Sequence, residues 1–244
     1  ADGVIHMRNT LTIFRREFVS LFGQPLAAIS LSVFVAVIAA FSLYFNNLLL
    51  SGVATMDAPF FWTAIAFLMF APAVTMRTVS EEKRTGTIEV LMTLPITATE
   101  VVLGKWLASC ALMLVGLLLL LGYPLTLDQY AVLDWGPVFG GFVGLALLGG
   151  AFCAIGVSAS SLTDNQVVAF MLAFFVGLVP FAMGFFLPVV PADLVPVVQY
   201  FTFEYHFSNL AKGVLDSRSV VFYLGVIALF LQAAITMLET RRLQ

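Results

Sequence analysis

The side chains of this chain that could carry chemistry are few and mostly isolated. Cys110 and Cys153 both fall inside apolar runs, where a thiol behaves as a small buried hydrophobe, so neither a disulfide nor a metal framework is expected. Asp193, Glu204 and His206 lie near one another in sequence. No ligand spacing recurs among them, and the plainer reading is a polar lip where an apolar segment meets water. No G-x-x-x-x-G-K-S/T occurs, so the chain cannot cradle nucleotide phosphates itself. Catalytic, cofactor-binding and metal-ligating residues are therefore all expected to be none. What remains is a concentration of charge. Eight charged residues, four basic and four acidic, run from Arg77 to Lys105 around the stretch SEEKRTGTIEVLMTLPITATEVVLGKW.

That stretch divides in two. Gly86 ends the charged approach. From Thr87 to Leu94 the apolar Ile88, Leu91 and Met92 share one helical face, with the Glu89 carboxylate beside it. So short a helix is not stable alone in water, so 87–94 must lie against lipid or a partner. Pro95 stops it, because a helix seldom continues into the residue before proline. Glu89 and the run Glu81, Glu82, Lys83, Arg84 suit a protein surface of mixed charge better than lipid. Thr97, Ala98, Thr99 and Glu100 then read as a capping box, with Ile96 and Val101 at the two positions of a hydrophobic staple. This corner fixes the entry angle of the next helix and leaves 87–94 held between a flexible glycine and a rigid turn.

The elements that must carry this segment are membrane spans. The chain is 61% hydrophobic and 10% charged, with a mean hydropathy of +1.04. A soluble domain carries about 25% charged residues, so this chain could not keep a soluble surface wet. The expected fold is all-α and polytopic, a single transmembrane domain over 1–244. Charge-free windows long enough to cross a bilayer occur six times, at about 26–46, 58–76, 102–125, 136–160, 166–188 and 219–238. Asn46 and Asn47 mark the exit from the first. That first run is too long for the apolar core of a signal peptide, and five more follow, so no cleaved signal is expected. Ala1 to His6 precede Met7, which reads as the natural start.

An even number of spans puts both termini on one side. Arg8, Arg15, Arg16, Arg77, Lys83, Arg84, Lys105, Arg241 and Arg242 fall there, against Lys212 and Arg218 opposite. The bias predicts that both termini are cytoplasmic. Leu11, Phe14, Phe18, Leu21 and Phe22 form one stripe of an amino-terminal helix, with Arg8, Arg15 and Arg16 largely off it. That pattern predicts a helix in the cytoplasmic interface, its arginines toward lipid phosphates. Pro25 starts the first span where its missing N–H costs nothing.

Span four holds Gly136, Gly140, Gly141, Gly144, Gly149, Gly150 and Gly156, which predicts close helix packing within the subunit in preference to a dimer seam. Gly177, Pro180, Gly184 and Pro188 predict a bent or broken span five. Residues 189–218 are too apolar for an ordinary outer loop. They read as one or two short helices dipping into the outer leaflet, with Tyr200, Phe201, Phe203, Tyr205 and Phe207 at interfacial depth. No charge sits at the centre of any span, which argues against a proton- or sodium-driven carrier.

From Glu81 to Lys105 the sequence resembles the cytoplasmic connection of ABC-2 permease subunits, especially the branch associated with gliding motility and related export operons. The layout of the whole chain is similar to theirs. The resemblance implies that 87–94 is the coupling helix docking on an ATP-binding subunit, with Gly86, Thr87, Glu89, Leu91 and Pro95 at matching positions and Lys105 beginning span three. It further implies two ATPase subunits, which carry ATP and Mg, and a second permease, identical or sister, with a periplasmic accessory protein as a further partner. The lipid bilayer surrounds the chain, and no nucleic acid is involved. A haem-exporter permease and a permease that moves a periplasmic partner without transport are the two alternatives.

Overall fold

The computed structural model describes residues 2–23, 25–45, 55–89, 96–130, 132–214 and 216–242. Among them the chain is all-helical, without a strand. An amino-terminal helix α1 (Asp2–Phe22) precedes α2 (Pro25–Ala40), which ends in a π-turn, Phe41–Phe45. Asn46 and Asn47 lie outside the described residues. Then follow α3 (Asp57–Thr75), α4 (Ser80–Arg84), α5 (Ala98–Leu119), α6 (Gly122–Tyr130), α7 (Trp135–Leu162), α8 (Gln166–Phe186), α9 (Val195–Tyr200), α10 (Phe203–Ala211) and α11 (Ser217–Arg242). Among the described residues six stretches are long and apolar enough to cross a membrane: Ala27–Tyr44, Asp57–Arg84, Ala98–Gln129, Trp135–Leu162, Gln166–Val189 and Ser217–Thr240. They match the six expected windows and make this a multi-pass membrane protein.

The spans are apolar all round, so their order in the bundle is set by side-chain size. Helix α7 is the hub, with 72% of its membrane window buried against 22% for span five. Its glycines take neighbours on several sides at once. A Cβ at Gly149 would sit 3.0 Å from the Phe67 ring of α3, and one at Gly144 would sit 3.2 Å from both Leu210 and Phe207 of α10. Methyls at Gly141 and Gly156 would run into Phe60 and Thr75, and one at Gly140 into the Leu210 carbonyl. Ile227 of α11 lies over Gly150, whose carbonyl accepts the Trp106 indole N–H at 3.0 Å. The glycine-rich span therefore packs within the subunit, by the close backbone approach that small residues permit.

Two expected boundaries move. Span three is helical from Ala98, turns at Leu120–Leu121 and continues as α6 to Tyr130, beyond its expected end at 125. Pro124 is tolerated there because the first turn of a helix does not use its N–H groups. Span five is not broken at Gly177 or Pro180. Helix α8 runs through both, and Gly177 receives the Phe152 ring 3.0 Å from its missing Cβ. The break comes later, where Leu187–Val189 tightens into a 3-10 turn. Two short helices, α9 and α10, fill the segment after it.

Candidate functional site: a buried ion cluster beside the charged segment

Helix α4 is built onto the carboxyl end of α7. Ser160 Oγ accepts hydrogen bonds from the backbone N–H groups of Val79 (3.1 Å) and Ser80 (3.0 Å) and donates to the Met76 carbonyl at 3.1 Å. Those N–H groups open a helix and have no partner inside it, so a side-chain oxygen must satisfy them. Lys83 donates to the Ser161 carbonyl, placing a cation at the negative end of α7. The charged run is thus anchored to the hub of the bundle.

Helix α1 lies along the start of α5 through the face that carries Asn9, Ile13 and Glu17. Asn9 donates to Glu100 at 3.2 Å, and Ile13 sits over Gly104, where a Cβ would lie 2.7 Å from its Cγ2. Glu17 reaches Lys105 at 2.9 Å. Phe14, Phe18 and Phe22 stack into a ladder beside that face, with ring centroids 5.6 and 4.4 Å apart, while Leu11 is exposed.

These three elements meet at Lys105. Its ammonium is buried, 1% exposed, and donates to Glu17 at 2.9 Å and to Glu82 of α4 at 2.8 Å. Arg16 closes the group from outside, 3.3 Å from Glu82 and 3.5 Å from Glu17. Two cations and two carboxylates leave no net charge, the condition under which ions can leave water. Lys105 is therefore no flanking charge facing water, as its place at the head of span three suggested. It is the centre of an internal cluster. Arg16 turns to carboxylates of its own chain, while Arg8 and Arg15 make no ion pair among the described residues.

Beyond α4, Gly86 adopts φ +71°, a left-handed conformation that glycine reaches without steric cost. Thr85 and Thr87 hydroxyls meet at 3.0 Å across it. Residues 87–89 are helical. Ile88 is half-buried against the chain's own core, so Thr87 and Glu89 are the side chains left exposed. Leu91, Met92, Leu94 and Pro95 lie outside the described residues. The corner after them is as expected: Glu100 N–H donates to Thr97 Oγ1 at 3.3 Å, and Thr97 N–H donates to Glu100 Oε2 at 2.8 Å. Val101 is buried and Ile96 half-buried.

At the opposite end of the bundle His206 is buried between α9 and α11. Its Nε2 donates to the Tyr200 carbonyl at 2.9 Å, and its Nδ1 faces Ser219 Oγ at 3.1 Å. Phe222 stacks on the ring at 4.1 Å, and burial holds the imidazole below its ordinary pKa. Both nitrogens are thereby occupied by the chain itself. Phe203 and Phe207 are buried, Tyr200 is exposed, and Glu204 lies against Gly184, 3.1 Å from where its Cβ would be. Among the described residues no group of three His, Cys, Asp or Glu side chains could hold a metal.

A family model described as ABC-2 family transporter protein matches residues 50–238. The chain belongs to that family. No curated protein matches it. The part of this ABC-2 chain that matches includes Glu82, Lys105 and His206, whereas Arg16 and Glu17 precede it. Glu17, Asn9, Gly104, Ser160 and Ser161 went unnoticed in the sequence. Glu17 carried one usable signal: it is the acidic member of a helical row, Asn9–Ile13–Glu17, that the apolar stripe leaves to one side.

Proposed function

We propose that this chain is the membrane permease subunit of an ATP-driven exporter in the bacterial cytoplasmic membrane, with both termini cytoplasmic. ATP and Mg are bound by ATPase subunits on separate chains, two per transporter, and two permeases pair to form the pathway. The resemblance of residues 81–105 favours the gliding-motility branch.

The observation that carries this reading is the Glu82–Lys105–Glu17 cluster. It lies just behind Gly86 and the exposed side chains of Thr87 and Glu89, where an ATPase would dock. A pull on 87–89 reaches Glu82 through α4, and Glu82 is ion-paired to span three at Lys105. The capped corner at Thr97 and Glu100 gives a second link into the same helix. Span three thus receives the stroke from both ends of the connection, and α1 moves with it through Glu17.

The test is co-purification of the permease with its co-expressed ATPase subunit after Glu89→Arg and, separately, Ile88→Asp. Loss of the ATPase with Glu89→Arg, in a permease that still elutes as a single species, supports docking at this turn. Full assembly and unchanged ATP hydrolysis in both variants would overturn it.

A further inference from the structure

Next to the ion cluster a cavity of about 510 Å³ opens between α1, α2, α3 and α5. Its lining has two chemically distinct parts. Leu21, Phe70, Val74 and Leu112 make an apolar wall, and Arg77 and Glu81 stand at its charged rim. Glu17 and Lys105 also touch the cavity, but they neutralise each other. Arg77 and Glu81 do not: both are exposed, and neither has an ion-pair partner among the described residues.

An occupant must satisfy an apolar wall, one free guanidinium and one free carboxylate together. A soluble phosphate ester has nothing to place against Phe70 and Leu112. A purely anionic lipid gains Arg77 and is repelled by Glu81. A head group with a phosphate and a primary ammonium satisfies both, since the ammonium N–H groups can donate to a carboxylate as a quaternary ammonium cannot. The apolar wall adjoins α2, whose Ile29 and Val33 are exposed as lipid-facing side chains would be. We propose that this cavity binds one aminophospholipid, its phosphate on Arg77, its ammonium on Glu81 and an acyl chain against Phe70, Val74 and Leu112.

The experiment is native mass spectrometry of the full chain released from vesicles of equal phosphatidylethanolamine, phosphatidylcholine and phosphatidylglycerol. The expected result is one retained phosphatidylethanolamine per chain. Removing one charge, by Arg77→Gln or Glu81→Gln, should lower its retention about fivefold, the weight of a single charge near a head group. Glu81→Gln should also shift the preference toward phosphatidylglycerol. Ala73→Trp, which fills the cavity from an exposed position, should abolish retention without changing elution. Equal retention of the three lipids, or the same lipid pattern in all three variants, would overturn the proposal. So would saturable binding of phosphoethanolamine alone, which would make the ligand a soluble phosphate ester.

Discussion

Lys105 Nζ lies 2.8 Å from Glu82 and 2.9 Å from Glu17, so one buried ammonium joins three helices that are distant in sequence. Such a cluster is stable only as a unit. Removing Lys105 leaves the Glu17 and Glu82 carboxylates, 17% and 16% exposed, facing each other largely out of water.

Lys105→Met should therefore destabilise the protein by about 2–4 kcal/mol, a little under the usual cost of breaking a buried pair because Arg16 remains beside both carboxylates. The triple variant Lys105→Met, Glu17→Gln, Glu82→Gln should recover most of that loss. Thermal unfolding in detergent reads both. A triple variant no more stable than Lys105→Met would show that the cluster is not a closed unit.

Gly104 is where α1 rests on span three. Gly104→Val should push against Ile13 and the Thr10 carbonyl, which a Cβ would meet at 2.7 and 3.2 Å. The expected loss is about 1–3 kcal/mol, as for overpacking elsewhere. Limited proteolysis should cut α1 sooner in this variant, and Ile13→Ala should restore protection by making room.

Within α7, glycine positions should differ from those outside the hub. Gly140→Ala drives a methyl into a backbone carbonyl that cannot rotate away, and should cost about 1–3 kcal/mol. Gly122→Ala meets nothing within 4 Å and should leave the unfolding temperature unchanged or slightly raised. Similar losses in both variants would contradict the packing described.

His206 should give stability a pH slope of a definite sign. Burial lowers its pKa in the folded chain, against smaller raising contributions from the Tyr200 carbonyl and Asp216. Just below the ordinary value of about 6.5 the unfolded chain then binds more protons than the folded one, so stability rises with pH there. The contribution is complete above that value and is lost as pH falls from it toward the lowered pKa. His206→Gln, which keeps a donor and an acceptor, should flatten the slope between about pH 5 and 7. Unfolding temperatures across that range decide it.

Much of the architecture was legible in the sequence because its signals are local. Apolar length alone located six spans, since a bilayer demands satisfied backbone over a fixed distance. Thr97 and Glu100 announced their corner because a capping box is a contact between residues three apart. The glycines of α7 announced close packing because nothing else explains so many missing side chains in one span. Of the residues expected to bend or break span five, Pro180 leaves the helix continuous, since proline removes one hydrogen bond, whereas Pro188 lies in the 3-10 turn that ends it.

The sequence by itself determined that this is a six-span helical membrane protein with one sizeable charged connection and a rigid corner after it. Those features depend on residues within a turn or a span of one another. Only the tertiary structure decided where the charges of that connection go. Glu17, Glu82 and Lys105 are separated by tens of residues, and each alone reads as a solvated charge at a span's edge. They become a buried junction because α1 lies on Gly104 while Ser160 holds the start of α4 to the end of α7. No local pattern records which distant carboxylates will surround an ammonium once three helices pack.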